Sequence, residues 1–128
     1  MIDHVSIQVR DITVSKTFYK KVLAPLGLKE FVTRPSAVGF GKTYPEFWIN
    51  LRPFSSQQEP GSGNHICLRA QSESAVAEFH AAALNNGGIC DGPPGVRKAE
   101  LTPYFAAFII DPDGHRIEAA TFPKIRVS

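Results

Sequence analysis

Polar and apolar residues alternate along DHVSIQVRD, residues 3–11, so that Val5, Ile7 and Val9 fall on one side of an extended chain and His4, Ser6 and Gln8 on the other. This is the pattern of a strand with one buried face. The period then changes. In TVSKTFYKKVLAPLGL, residues 13–28, Phe18, Val22 and Leu23 recur at helical spacing, Thr13 is the expected N-cap, and Pro25 and Gly27 mark the end. Three short strands, LKEFVTR, AVGFG and EFWINLR, follow between Pro and Gly punctuation. The order is βαβββ.

From residue 64 the order returns. NHICLRA alternates again, with Ile66 and Leu68 opposite His65, Cys67 and Arg69. SESAVAEFHAAALNNGG supplies a helix with Ser72 as cap, Val76, Phe79 and Leu84 in its apolar stripe, and Gly87 or Gly88 past its end. GGICD, YFAAFII and HRIEAAT complete a second βαβββ unit. A repeat at roughly sixty residues is too long for a solenoid and suits a duplicated module. The expected fold is α+β, with modules 1–54 and 64–122 joined by a polar Gly/Pro connector, residues 55–63, within a single domain of residues 1–128. The two modules form one cupped, mixed eight-stranded sheet with the helices outside.

Alternation also sorts the chemistry. The helices claim the apolar faces, so the polar faces line the cup. His4 and His65 head equivalent strands of the two halves. On EFWINLR the polar side holds Trp48, Asn50 and Arg52, and on HRIEAAT it holds Glu118, between Ile117 and Ala119. Two imidazoles and a carboxylate on one concave surface are the makings of a facial triad that holds a divalent metal and leaves positions open for substrate oxygens. An unpaired carboxylate there is costly, so Glu118 should have a metal or a cationic side chain beside it; Arg116, Arg52 and Arg69 are the competing partners. Trp48 offers a pocket wall and Arg52 a group to recognise an acid, while Tyr104, at a strand start, is a weaker choice for an acid or hydrogen-bond donor. His80 is read as exposed or packing, His115 as serving the DPDG hairpin, Cys67 as a small buried thiol, and residues 92–103 as a rim loop.

Composition narrows the classes. Net charge is +2, and the basic residues lie scattered among acids, which excludes the electrostatic footprint of a nucleic-acid binder. No apolar run reaches the length of a membrane span, and Asp3 interrupts any signal-like start. Cys67 and Cys90 form no CxxC pair and fit free thiols in a reducing compartment, so a cytoplasmic protein is expected.

DHVSIQVRD with FYKKVLAPLGL, NHICL with its helix, and YFAAFIIDPDGHRIEAATF together resemble the vicinal oxygen chelate superfamily, over residues 1–122. That superfamily includes glyoxalase I, extradiol dioxygenases, fosfomycin-resistance thiol transferases and bleomycin-binding proteins. The resemblance implies a small-molecule ligand, a homodimer, and one divalent ion (zinc, iron, manganese, nickel or cobalt) on His4, His65 and Glu118. In glyoxalase I a fourth ligand is a glutamate, and here Asn50 stands in that place. An amide is a poorer ligand and no base, which speaks against glyoxalase I activity itself. Two further readings remain open at this level: a metal-free drug- or metabolite-binding protein, and an Fe(II) extradiol-type dioxygenase.

Overall fold

The structure, a computed structural model, describes residues 1–52, 63–98 and 102–123. Its first module runs β1 (Val5–Val9), α1 (Ile12–Leu23), a 3-10 turn (Ala24–Leu26), β2 (Lys29–Arg34), β3 (Ala37–Gly41) and β4 (Pro45–Leu51). The second runs β5 (His65–Arg69), α2 (Glu73–Asn85), β6 (Ile89–Arg97), β7 (Tyr104–Ile110) and β8 (Arg116–Thr121). Both modules of the expected repeat are present. The eight strands hydrogen-bond as two sheets of four with matching orders, β1-β4-β3-β2 and β5-β8-β7-β6. In each, the outer pair β1/β4 or β5/β8 is parallel and the remaining pairs are antiparallel. The connector assigned to residues 55–63 lies outside the described residues except for Gly63. No helix among the described residues is long and apolar enough to cross a membrane.

Local chemistry sets the helix ends. Asp11, not Thr13, caps α1: its carboxylate accepts from the amides of Thr13 at 3.0 Å and Val14 at 3.1 Å, so the helix begins at Ile12. A carboxylate also suits the positive end of the helix dipole better than a hydroxyl does. Lys20 and Lys21 in the last turn suit the negative end, and Gly27, at φ 82°, closes the 3-10 turn in a conformation that side chains with a Cβ avoid. Ser72 caps α2 as expected, accepting from the Ala75 amide at 3.1 Å.

One hydrophobic cluster draws on both modules. Phe18, Val22 and Leu23 of α1, Phe47 and Ile49 of β4, Val76 and Phe79 of α2, and Ile109 and Ile117 of the second sheet belong to it. Leu84, assigned to the α2 stripe, is instead 45% exposed, and Ala83 occupies the buried position beside it. The helical period carries Leu84 just past the edge of the buried face.

The two modules are bolted together by the turn between β7 and β8. Asp111 accepts from the Tyr19 hydroxyl at 2.5 Å, and Asp113 accepts from the Ser15 hydroxyl at 3.2 Å and the Arg10 amide at 3.0 Å. His115 Nε2 lies 2.6 Å from the Gln8 carbonyl oxygen. Because a carbonyl can only accept, Nε2 carries the proton. Asp111 also serves the turn, taking the amides of Asp113 and His115. His115 therefore serves the junction with β1 as well as the hairpin. Residues 92–97, expected in a rim loop, continue β6 through two register shifts, because extended Gly-Pro-Pro-Gly backbone still pairs along a bulged edge.

Gly41 sets the tight return from β3 into β4. A Cβ there would meet the Tyr44 carbonyl oxygen at 1.7 Å, and the backbone cannot yield as a flexible side chain would. Gly41→Ala is expected to cost about 1–3 kcal/mol, the range for forced overpacking, as measured by urea unfolding.

Candidate functional site

Glu118 lies in the interior of β8 with only 4% of its surface exposed. Parallel register places Cys67 of β5 directly beside it, and His65, two residues earlier on β5, lies on the same face. His65 Nε2 is 3.2 Å from Glu118 Oε1. Burial first, and then the charge and hydrogen-bonding reach of Glu118, push the Cys67 thiol up to about 12 from an ordinary 9.0. The same causes, again with burial first, raise the Tyr104 hydroxyl above its ordinary 10.0. Glu118 thus faces an imidazole, a thiol and a phenol. Arginines take other partners: Arg116 pairs with Asp91 at 2.7 Å, and Arg69 lies over the Phe122 ring at 4.8 Å. Cys67, expected to be buried, is exposed as a residue on β5, while its thiol is partly shielded from water beside Glu118.

His4 precedes β1. Its Nδ1 lies 2.7 Å from Asp3, and its side chain is 54% exposed. It lines the same cavity of about 760 Å³ as His65 and Cys67. Among the described residues no three His, Cys, Asp or Glu side chains gather closely enough to hold a metal ion. The donor types nonetheless fit one: His65 and Glu118 are already within reach of a shared ion, and His4 stands on the wall of the same cavity.

His65 also borders a second cleft, of about 470 Å³, between the modules. Asn50 and Arg52 line it, together with Ser6, Gln8, Asn64 and Arg116. Asn50 Nδ2 donates to the Ser6 hydroxyl across the β1–β4 pair. Trp48 lines the opposite flank of β4, its ring over Gly39 and beneath the Arg34 guanidinium at 5.5 Å. It does not line the cleft of Asn50 and Arg52. Tyr104 stacks on Phe122 with ring centroids 5.1 Å apart, at the edge of a third cavity. Sequence reasoning had placed Ser6 and Gln8 on the polar face but assigned them no role. Their alternation with Val5, Ile7 and Val9 was the available signal.

Residues 1–119 match the family described as the Glyoxalase/Bleomycin resistance protein/Dioxygenase superfamily. The chain belongs to that superfamily. This superfamily member is 35% identical to the uncharacterized protein YwbC of Bacillus subtilis (strain 168) over 130 aligned positions, which take in 91% of this chain and 94% of that protein. A crystal structure of a glyoxalase/bleomycin resistance protein from Albidiferax ferrireducens T118 superposes with a TM-score of 0.79 at 33% identity, covering 93% of this chain and 97% of that one. The genomically encoded fosfomycin resistance protein FosX of Listeria monocytogenes shares the fold, with a TM-score of 0.65 at 20% identity over 96% of this chain and 93% of that one.

His80, in α2, is buried with Nε2 3.1 Å from Cys90 Sγ, and burial lowers its pKa. It packs the helix against β6, away from Glu118.

Proposed function

We propose that this superfamily member binds a small oxygen-bearing molecule at a divalent ion held by His65 and Glu118, with His4 as the third donor. The observation that carries this reading is the Glu118 carboxylate, 4% exposed, aimed at His65 Nε2 at 3.2 Å with no arginine or lysine paired to it among the described residues. A nearly buried carboxylate with no cationic side chain paired to it among the described residues is a place where a cation is favoured, and the His65–Glu118 edge offers that place to a divalent ion. His4 completes the set by exchanging Asp3 for the ion, from the same chain or from a second copy in the homodimer we expect. When bound, such an ion polarises neighbouring oxygens and stabilises negative charge that develops on them. The remaining work belongs to the chain. Tyr104, a phenol that holds its proton at neutral pH, serves as a hydrogen-bond donor or acid. Asn50 and Arg52 hold the far part of the ligand, and Asn50 offers no carboxylate to take a proton, which directs the proposal away from glyoxalase I chemistry.

A second reading, metal-free binding of a drug or metabolite, is favoured by His4 being engaged with Asp3 and by Glu118 already having neutral donors around it. Metal content separates the two. Protein freed of metal and then equilibrated separately with zinc, manganese, iron, nickel or cobalt should retain close to one ion per chain by mass-spectrometric metal analysis. His65→Ala should abolish that retention, and His4→Ala should weaken it at least tenfold. No retained ion, together with ligand affinity unchanged in His4→Ala, establishes the metal-free reading instead.

A further inference from the structure

We infer that the 470 Å³ cleft between the modules is an oxyanion site, which takes the carboxylate or phosphonate/phosphate group of the small-molecule ligand. This rests on the small-molecule reading above and adds to it the charge class of the ligand. The lining is one-sided in chemistry: two arginines, Arg52 and Arg116, stand with Ser6, Gln8, Asn50 and Asn64, and no Asp or Glu lines the cleft among the described residues. In a chain whose acids and bases nearly balance, a concave surface that collects guanidinium and amide donors with no carboxylate among its described lining residues favours anions.

The two arginines differ in availability. Arg116 is engaged, its Nη1 2.7 Å from Asp91. Arg52 is not: its backbone amide donates to the Val9 carbonyl at 3.0 Å, rooting it at the end of β1, and its guanidinium has no ion-pair or hydrogen-bond partner among the described residues. A guanidinium tethered at its root, with no partner among the described residues, is suited to bidentate pairing with a carboxylate or phosphonate. The Asn50–Ser6 contact adds a second donor. Because Ser6 Oγ accepts from the Asn50 amide, its own hydrogen points away from Asn50 and is free to donate. The cleft meets the other cavity at His65, which lines both. An anionic group held by Arg52 therefore sits on one side of His65, and the remainder of the ligand reaches toward Glu118 on the other.

Malonate and methylphosphonate serve as anionic probes and malonamide as the neutral control, titrated into metal-free protein with amide chemical shifts as the readout. Expected are saturable shifts at Ser6, Gln8, Asn50, Asn64 and His65 with either anion, none with malonamide, and affinity at least tenfold weaker in Arg52→Gln. Preference for one anion identifies the carboxylate or the phosphonate as the natural group. Equal binding of malonamide, or unchanged anion affinity in both Arg52→Gln and Arg116→Gln, overturns the inference. Metal-free protein makes the result independent of ion binding. Failure of metal uptake in wild type refutes the metal reading and leaves the anion result standing; loss of anion selectivity with metal uptake intact refutes the oxyanion site alone.

Discussion

Glu118→Gln is expected to weaken divalent-ion binding at least tenfold while leaving the fold intact. The substitution keeps the shape and an acceptor oxygen beside His65 and Cys67, but it removes the negative charge that the proposed ion needs. Loss of a group that merely orients a ligand costs ten- to a hundredfold in metal affinity, so loss of a direct anionic donor should reach at least the lower bound. A competition titration against a chromophoric chelator reads the affinity, and thermal unfolding of the metal-free variant reads the fold. In the absence of metal the variant should be as stable as wild type or more so, because a charge 4% exposed has been replaced by a neutral amide. Equal ion affinity in the two proteins removes Glu118 from the proposed ligand set.

Asp111→Ala should destabilise the chain by about 2–4 kcal/mol, the sum expected when one buried acceptor serving several donors is lost. Three donors depend on it: the Tyr19 hydroxyl, buried completely, and the amides of Asp113 and His115. The Tyr19 bond also joins the modules, so its loss loosens the packing of α1 against the β7–β8 turn. Asp111→Asn keeps an acceptor for the two amides and should cost much less. The two variants also differ in pH dependence. Burial raises the Asp111 carboxyl above its ordinary 3.8, opposed in part by the Tyr19 hydroxyl and His115. Between 3.8 and its folded value, the folded chain holds a proton that the unfolded chain has released. The contribution of Asp111 to stability therefore falls as pH rises through that window and is level above it. The stability of wild type relative to Asp111→Asn, from urea unfolding at a series of pH values, should decline upward through the same window. A difference that rises with pH contradicts the assignment.

The junction of Asp111 with Tyr19 was not legible in the sequence. DPDG has a sufficient local explanation as a turn, which hides the second task of its two acids. The signal lay in α1, where Ser15 and Tyr19 stand one helical turn apart on the same buried face as Phe18 and Val22. Polar atoms on an apolar stripe need buried partners, and only a distant segment could supply them. Asp11 illustrates the same difficulty at shorter range: Asp11 and Thr13 both qualify as caps, and the geometry of the entering chain decides between them. At the candidate site, the shared face of His65, Cys67 and Glu118 was readable because strand side chains alternate strictly. The engagement of His4 with Asp3 and of Arg116 with Asp91 was not, since charged side chains choose among several partners of similar energy.

The two βαβββ modules, the apolar faces of their strands and the residues available to a polar site were legible along the chain, because periodicities of 2 and 3.6 are properties of the local backbone. The docking of the two modules is what makes the β7–β8 turn clasp α1 and brings Arg52 and Arg116 to one cleft that no acid lines among the described residues, and the pairing of β5 with β8 sets Glu118 beside His65 and Cys67. Those pairings join segments separated by tens of residues, and they follow from how two packed surfaces dock, which no local pattern encodes.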